Sequence, residues 1–457
     1  MNSPLADHTY RRLFSAQVIA LAGTGLSTVA LALFAYDLAG ADAGLVLGTA
    51  LAIKMVAYVG VAPVVGAFAQ ALPRRRLLIA FDLGRAGTVA CLPFVTEIWQ
   101  IYVLIFLLNA CSAGFTPTFQ ATIPDILPDE AQYTRALSLS RLAYDLENLL
   151  SPVVAAAALV VVSYNGLFAA NALAFLISAL LVLSVRLPAP APGEREAGLW
   201  SNLGVGVSIY LNTPRLRGLL ALSLAVAAAG AMMIVNTVVI VRDRLGGSET
   251  ETAIAFAAAG LGSMTVALVL PRVLERIPDR TVMLAGGLVL GAGLLTGLSA
   301  PGFEALLAIW LTLGAGSSLI QTPASRLLRR SAREGDRPAV YAAQFALSHG
   351  CWLAAYPLAG WTGRMLGLDA AFAILACITL GGTFLAFYFW PADDHVTLEH
   401  WHDAMQHEHP HLHDEHHQHV HDGDVGPEPH RHPHRHMAGR HSHPYVIDLH
   451  HPIWPSR

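Results

Sequence analysis

Lysine is all but missing from this chain: Lys54 stands alone against twenty-seven arginines in 457 residues. Charge of either sign is sparse. Asp, Glu, Lys and Arg make up 13% of the sequence, where a soluble domain carries about a quarter, and that shortfall excludes an ordinary soluble enzyme. Cysteine is scarce as well, and Cys91, Cys111, Cys351 and Cys377 all fall inside apolar runs. A small, soft side chain there packs, so no disulfide framework and no cysteine metal site is expected. The sequence has no nucleotide-cradling P-loop, which removes ATP as a power source and leaves an ion gradient. It shows no cleavable leader either, because the first apolar stretch is too long for one and lacks a small-residue cleavage site. That stretch reads as a first membrane span. Nothing suggests a nucleic-acid partner.

What the chain has is apolar length. Hydrophobic residues reach 54%, and stretches long enough to cross the ~30 Å hydrocarbon core as helices recur twelve times. They lie near 12–38, 43–70, 77–96, 99–122, 137–162, 166–186, 215–241, 251–274, 281–299, 303–325, 339–363 and 368–391. The expected fold is an all-α membrane protein. With the N-terminus inside, one side of the membrane collects Arg11, Arg12, Arg74 to Arg76 and the arginine clusters of the later loops, whereas the other holds Arg242, Arg244 and Arg364. By the positive-inside rule both termini are expected in the cytoplasm.

A Pro-rich polar stretch that opens PAPAPGERE separates six spans from six. The division expected is an N-terminal half over 1–186, a central loop over 187–214, a C-terminal half over 215–391 and a tail over 392–457. A weak repeat supports it: Thr116-Pro117 is followed by Pro152 as Thr322-Pro323 is by Pro357, at separations of 35 and 34 residues. Two parallel six-helix halves are one of the standard organisations of secondary transporters, with substrate held near the midplane between repeats.

The loop after the second span, GAFAQALPRRRLL, carries Gly66, Gln70 and Arg74, Arg75 and Arg76. It resembles the signature loop of the major facilitator superfamily, a glycine and an acidic residue before a basic cluster. Gln70 stands where that family has aspartate, so Asp82 and Arg85 on the next span are the candidates for a substitute pair. The segments IPDILPDEAQ and LLSPVVAAA resemble the drug-exporter branch around its fifth-span proline, here Pro152, although serine and alanine replace the flanking glycines. The body together with its histidine-rich end resembles the bacterial nickel-resistance exporters. The resemblance implies a proton-driven exporter working by alternating access, a bacterial inner-membrane location and a monomer.

Ionisable side chains at mid-membrane depth cost at least ~2.5 kcal/mol on insertion scales, so each one is a functional candidate. Lys54 lies inside the second span and needs a carboxylate partner, unless it snorkels to an interface. The fifth span carries RLAYDLENLLSP, in which Arg141, Asp145 and Asn148 share a helix face and Glu147 points elsewhere. Asp145 with Asn148 offers hard oxygen donors to a divalent cation or a carboxylate to a proton; the alternative is an Arg141–Asp145 pair that only fixes packing. His349 of the eleventh span corresponds through the repeat to Tyr144, beside Asp145. Asp145 and His349 are therefore expected to meet across a central cavity, unless His349 is an ordinary interhelical histidine.

Nineteen of the twenty-one histidines fall between His395 and His451. His407, His409, His411, His413, His416, His417, His419, His421, His430, His432, His434 and His436 are the candidate metal ligands, with interleaved Asp and Glu adding oxygen donors. Proline and glycine discourage a helix, and a disordered tail is expected. Nickel is the expected metal, with cobalt, zinc and copper as the others that imidazole suits. Two further readings stand beside metal export: export of organic compounds or chelates with a sensing tail, and a membrane-anchored metal buffer.

Overall fold

The computed structural model describes residues 3–69, 73–187, 199–332, 336–394, 397–402, 405–411, 430–436, 439–447 and 454. It is built from long helices. In the N-terminal half these are α1 (His8–Ala39), α2 (Ala43–Ala69), α3 (Arg74–Cys91), α4 (Ile98–Ile126), α5 (Glu130–Ala158) and α6 (Tyr164–Leu183). After α7 (Leu199–Asn212) come α8 (Pro214–Val239), α9 (Glu249–Val273), α10 (Asp279–Thr296), α11 (Phe303–Arg330), α12 (Arg337–Met365) and α13 (Leu368–Phe389). Every span read from hydropathy has become one helix, with ends displaced by a few residues. Nine apolar stretches among the described residues are long enough to cross a membrane, the first running through both α1 and α2.

Local chemistry sets the helix starts. The Asp7 carboxylate accepts from the Tyr10 amide at 2.8 Å, and Asp129 accepts from Gln132 at 2.9 Å. Ser248 and Glu251 form a reciprocal capping box at the head of α9, satisfying amides the helix itself leaves unpaired. At the α1–α2 turn Gly40 takes φ 54°, a backbone that a side chain would strain.

Packing repeats between the halves. In the first, α1 lies on α6 and α5, α2 on α4, and α3 on α4 and α6; in the second, α8 lies on α13 and α12, α9 on α11, and α10 on α11 and α13. Adding one half-chain to each helix of the first set gives the second. The joints between halves obey the same relation, since α2 meets α12 and α5 meets α9. This is the parallel-repeat arrangement in which a cargo site sits between two bodies that rock.

Call the end bearing the N-terminus and the start of the tail the terminal face, and the other the far face. Toward the far face the halves touch backbone to backbone. A β-carbon added at Gly48 would lie 2.5 Å from the Tyr356 carbonyl oxygen, and one at Gly360 would lie 2.4 Å from that of Gly44. Arg364 of α12 also pairs with Asp42 beside the α1–α2 turn.

Two features were not read from the sequence. The central loop contains α7, which packs on α12; a β-carbon at Gly206 would sit 2.1 Å from the Ala339 carbonyl oxygen. Fourteen residues are too few to cross a bilayer, so hydropathy at membrane length passes over it. In the tail, β1 (Thr397–His402) pairs antiparallel with β4 (Gly439–Pro444), and β2 (Met405–His411) with β3 (His430–His436). Where no fixed structure was expected, the described tail is extended and paired, with Pro410 and Pro433 inside β2 and β3, as two-stranded pairs with two open edges tolerate.

Candidate functional site

Lys54 and Glu147 are eleven residues from the far-face ends of their helices, Ala43 of α2 and Ala158 of α5. At 1.5 Å per residue each sits ~16 Å into the bundle, about half of the ~30 Å hydrocarbon thickness. The two side chains interact electrostatically across the space between α2 and α5. The glycine at position 25 of α1 makes room for this arrangement: a β-carbon there would lie 3.1 Å from Glu147 Oε1 and 1.7 Å from the Ser151 hydroxyl oxygen. A side chain at residue 25 would drive the carboxylate from its place.

The C-terminal half contributes His349 of α12. Its charge interaction is with Lys54, and its ring lies 6.0 Å from that of Tyr58, one turn beyond Lys54 on α2. His349 Nδ1 is 2.7 Å from the Phe345 carbonyl oxygen. A carbonyl only accepts, so Nδ1 carries the proton and Nε2 keeps the lone pair that could bind a cation or a proton. This bond lies within α12 and not between helices, so the ring is fixed by its own helix and one nitrogen is left over. A carboxylate from α5 in one half and an imidazole from α12 in the other thus each interact with the single ammonium of α2.

Asp145 was expected to be the carboxylate facing His349. The side chains of Arg141, Tyr144, Asp145 and Asn148 lie outside the described residues, so that juxtaposition is not among the observed contacts. Glu147, set on another face of α5, is the fifth-span acid whose placement is described, and its face looks toward Lys54. Position along the helix distinguishes faces but not which of them meets α2. Tyr58 went unread, although its spacing of four from Lys54 puts it on the same face.

Asp82 and Arg85 do pair, but inside the N-terminal half. Asp82 accepts from the Ser178 hydroxyl at 2.7 Å, and the Arg85 guanidinium lies between Phe115 and Phe175, 4.1 and 4.4 Å from their ring centroids. These contacts tie α3, α4 and α6 together. Of the signature loop, Gln70 and the surroundings of Gly66 lie outside the described residues. Arg74 pairs with Asp125 on α4, Arg75 donates to the Leu183 carbonyl at the end of α6, and Arg76 is exposed. The basic cluster clips the terminal-face ends of one half together.

The tail ligands are described only as backbone. Register sets His407 opposite His434, His409 opposite His432 and His411 opposite His430, and His400 opposite His441 in the other pair. Successive pairs two residues apart share one face of the ladder. His413, His416, His417, His419 and His421 lie outside the described residues. Among the described residues no group of three or more His, Cys, Asp or Glu is arranged to hold a metal ion.

Comparison with known proteins gives a consistent family. The sequence model described as "Major Facilitator Superfamily" matches residues 13–237 and 219–403. The MFS-type transporter YfiS of Bacillus subtilis, whose name marks it as uncharacterized, is 22% identical over 70% of this chain and 78% of its own length. Macrolide efflux protein A of Enterococcus faecalis is 26% identical, over 31% of this chain and 47% of that protein. Among solved structures, the nucleoside transporter NupG superposes with a TM-score of 0.66 at 13% identity, covering 84% of this chain and 99% of NupG. A bacterial homologue of the lysosomal transporter Spinster, in an inward-facing and unoccupied conformation, gives 0.66 at 12% identity, covering 85% and 98%. At such identities the structures speak for the fold alone.

Proposed function

The chain belongs to the Major Facilitator Superfamily, and from that premise we propose that it exports a divalent transition metal, nickel foremost, in exchange for protons. It is a secondary transporter and no enzyme. The observation that carries the choice of cargo is the concentration of nineteen histidines behind the last span. Such a segment suits nickel, copper, zinc, cobalt and iron among the divalent metals, and suits magnesium and calcium poorly. The arginine excess makes the terminal face cytoplasmic, in the cytoplasmic membrane of a bacterium as for its bacterial relatives. The tail then gathers metal where export begins, and tethering raises its concentration at the entrance.

At mid-depth Glu147 and His349 offer an oxygen and an imidazole nitrogen from opposite halves, with Lys54 as the resident positive charge. Metal arriving from the cytoplasm takes the carboxylate and Nε2 and displaces the ammonium. On the far side a proton takes its place on these groups as the metal leaves, and that proton is released to the cytoplasm when the next metal binds. Rocking of the halves about the α2–α12 and α5–α9 joints exposes the site to each side in turn. Asp145 and Asn148 belong to the same segment of α5 and are proposed as further oxygen donors.

A second reading has an observation of its own: relatives named for macrolide efflux match over part of their length. On that reading an organic molecule occupies the cavity and the tail regulates. Everted membrane vesicles separate the two. The metal reading expects proton-gradient-dependent uptake of radioactive nickel and none of a labelled macrolide; macrolide uptake without nickel uptake would overturn it.

A further inference from the structure

Beyond the last tail strand, residues 445–447 and 454 lie against the bundle. Tyr445, Val446 and Ile447 follow the last tail strand, yet they are only 5%, 9% and 4% exposed. Trp454 packs edge-on against Tyr445, with ring centroids 5.1 Å apart. Both meet Arg215 at the foot of α8. One Nη of Arg215 donates to the Tyr445 carbonyl oxygen at 3.3 Å, and its guanidinium carbon lies 5.0 Å from the centroid of Trp454. The other Nη pairs with Asp394 at 3.1 Å, and Nε donates to the Ser331 hydroxyl at the foot of α11 at 2.8 Å.

Asp394 is where the histidine segment leaves α13, and Tyr445 is where it comes back. One guanidinium, itself buried, holds both points. The fifty residues from 395 to 444 therefore run between two points held by one side chain, and a buried arginine satisfied partly by those points has its partners changed whenever they are disturbed.

We propose that Tyr445, Val446 and Ile447 together with Trp454 form a clasp that holds the histidine segment at both its ends on the C-terminal half, so that metal loading of the segment acts on the feet of α8 and α11. This rests on the reading of the tail as a metal-binding segment. Metal held across the paired strands, as between the positions of His400 and His441, would tighten the β1–β4 ladder, and that ladder begins at Thr397 and ends at Pro444, beside the two held points. A tail free at its end would take up metal with no such consequence. The feet of α8 and α11 belong to the half that rocks, so the clasp gives cytoplasmic metal a grip on that movement.

Hydrogen exchange of the full chain in lipid nanodiscs, with nickel chloride as the probe, tests the clasp. In the intact chain the amides of 446–447 should exchange slowly, and Trp454→Ala should speed them by about tenfold or more. Nickel should change exchange in 218–222 and 327–331 by about threefold or more in the intact chain, and this should vanish in Trp454→Ala although the tail still takes up the metal. Tyr445→Ala serves as the second variant should the first not fold. Nickel uptake with no change at α8 and α11, or an equal change in the clasp variants, would overturn the clasp while leaving the metal reading intact. A tail that takes up no nickel would overturn both.

Discussion

The sharpest test of the central site is a double-mutant cycle on Lys54 and Glu147. Lys54→Met leaves a carboxylate without its cation at mid-membrane, and Glu147→Gln leaves an ammonium without its anion. Insertion scales put an unpaired charge at that depth at about 2.5 to 3.5 kcal/mol, and breaking a fully buried pair costs about 3 to 5 kcal/mol. Both side chains are only half-buried, so less than the fully buried figure, about 1 to 3 kcal/mol, is expected for each single variant. The double variant carries neither charge and should recover most of that loss, giving a coupling energy above ~1 kcal/mol, well beyond the ~0.5 kcal/mol within which independent sites add. The stability assay is thermal unfolding in detergent, read beside nickel transport in vesicles. Stability should return in the double variant while transport stays absent, because the carboxylate proposed to hold cargo or proton is gone. Additive losses of stability would refute the pairing. Full transport by Glu147→Gln would refute the site.

Other consequences are quickly stated. Gly48→Val places two methyl groups where the Tyr356 carbonyl already stands 2.5 Å from a β-carbon, so the far-face seal should open; cysteines placed near Gly44 and Gly360 should then become labelled from the far side at least several-fold faster. Leucine at Arg85 strands the fully buried Asp82 carboxylate and should lower stability by about 3 to 5 kcal/mol, seen as loss of folded protein from membranes before any change in cargo affinity. Metal needs neutral imidazole, and histidine with an ordinary value near 6.5 gains its proton as pH falls through that value. Nickel bound by the full chain beyond that bound by a chain lacking 395–444 should be present at pH 7.5 and mostly lost at pH 5; an unchanged difference would argue that oxygen donors, not histidines, hold the metal.

The helices were legible because each membrane crossing demands an unbroken apolar run, and the arginines at their ends mark the turns. The halves were legible from the spacing of Thr116-Pro117 and Pro152 against Thr322-Pro323 and Pro357, and the repeated packing of α1–α6 in α8–α13 accounts for that spacing. Helix α7 was hidden because its fourteen residues lie below membrane length. The ionisable residues of the site could be named, but not matched. Whether Glu147 or Asp145 looks toward α2 depends on the rotation of α5, and that rotation is set by tight contacts such as the close approach of Ser151 to Gly25, which leave no periodicity in the sequence. The pairing of Asp394 with Arg215 and the return of Tyr445 to the same guanidinium join residues up to 230 apart; nothing local announces them.

If metal is the cargo, as proposed, a tail that collects it and a central site that moves it face different demands, and the two sets of residues suit them differently. A collector gains from many weak, interchangeable ligands, because capacity and fast exchange matter more than a single geometry; alternating histidines on paired strands supply that. A transport site must release on the far side what it takes on the near side, so it must not bind too well. One carboxylate and one imidazole nitrogen, opposed by a resident ammonium, meet that requirement, since every cation that binds must first displace Lys54. Affinity there is a difference between two competing positive charges. Removing the lysine should therefore tighten metal binding while slowing release. Lys54→Met with Glu147 retained should show a lower half-saturating nickel concentration and a lower maximal rate together; a variant that merely weakened both would place Lys54 in the framework of the bundle, outside the exchange of cargo.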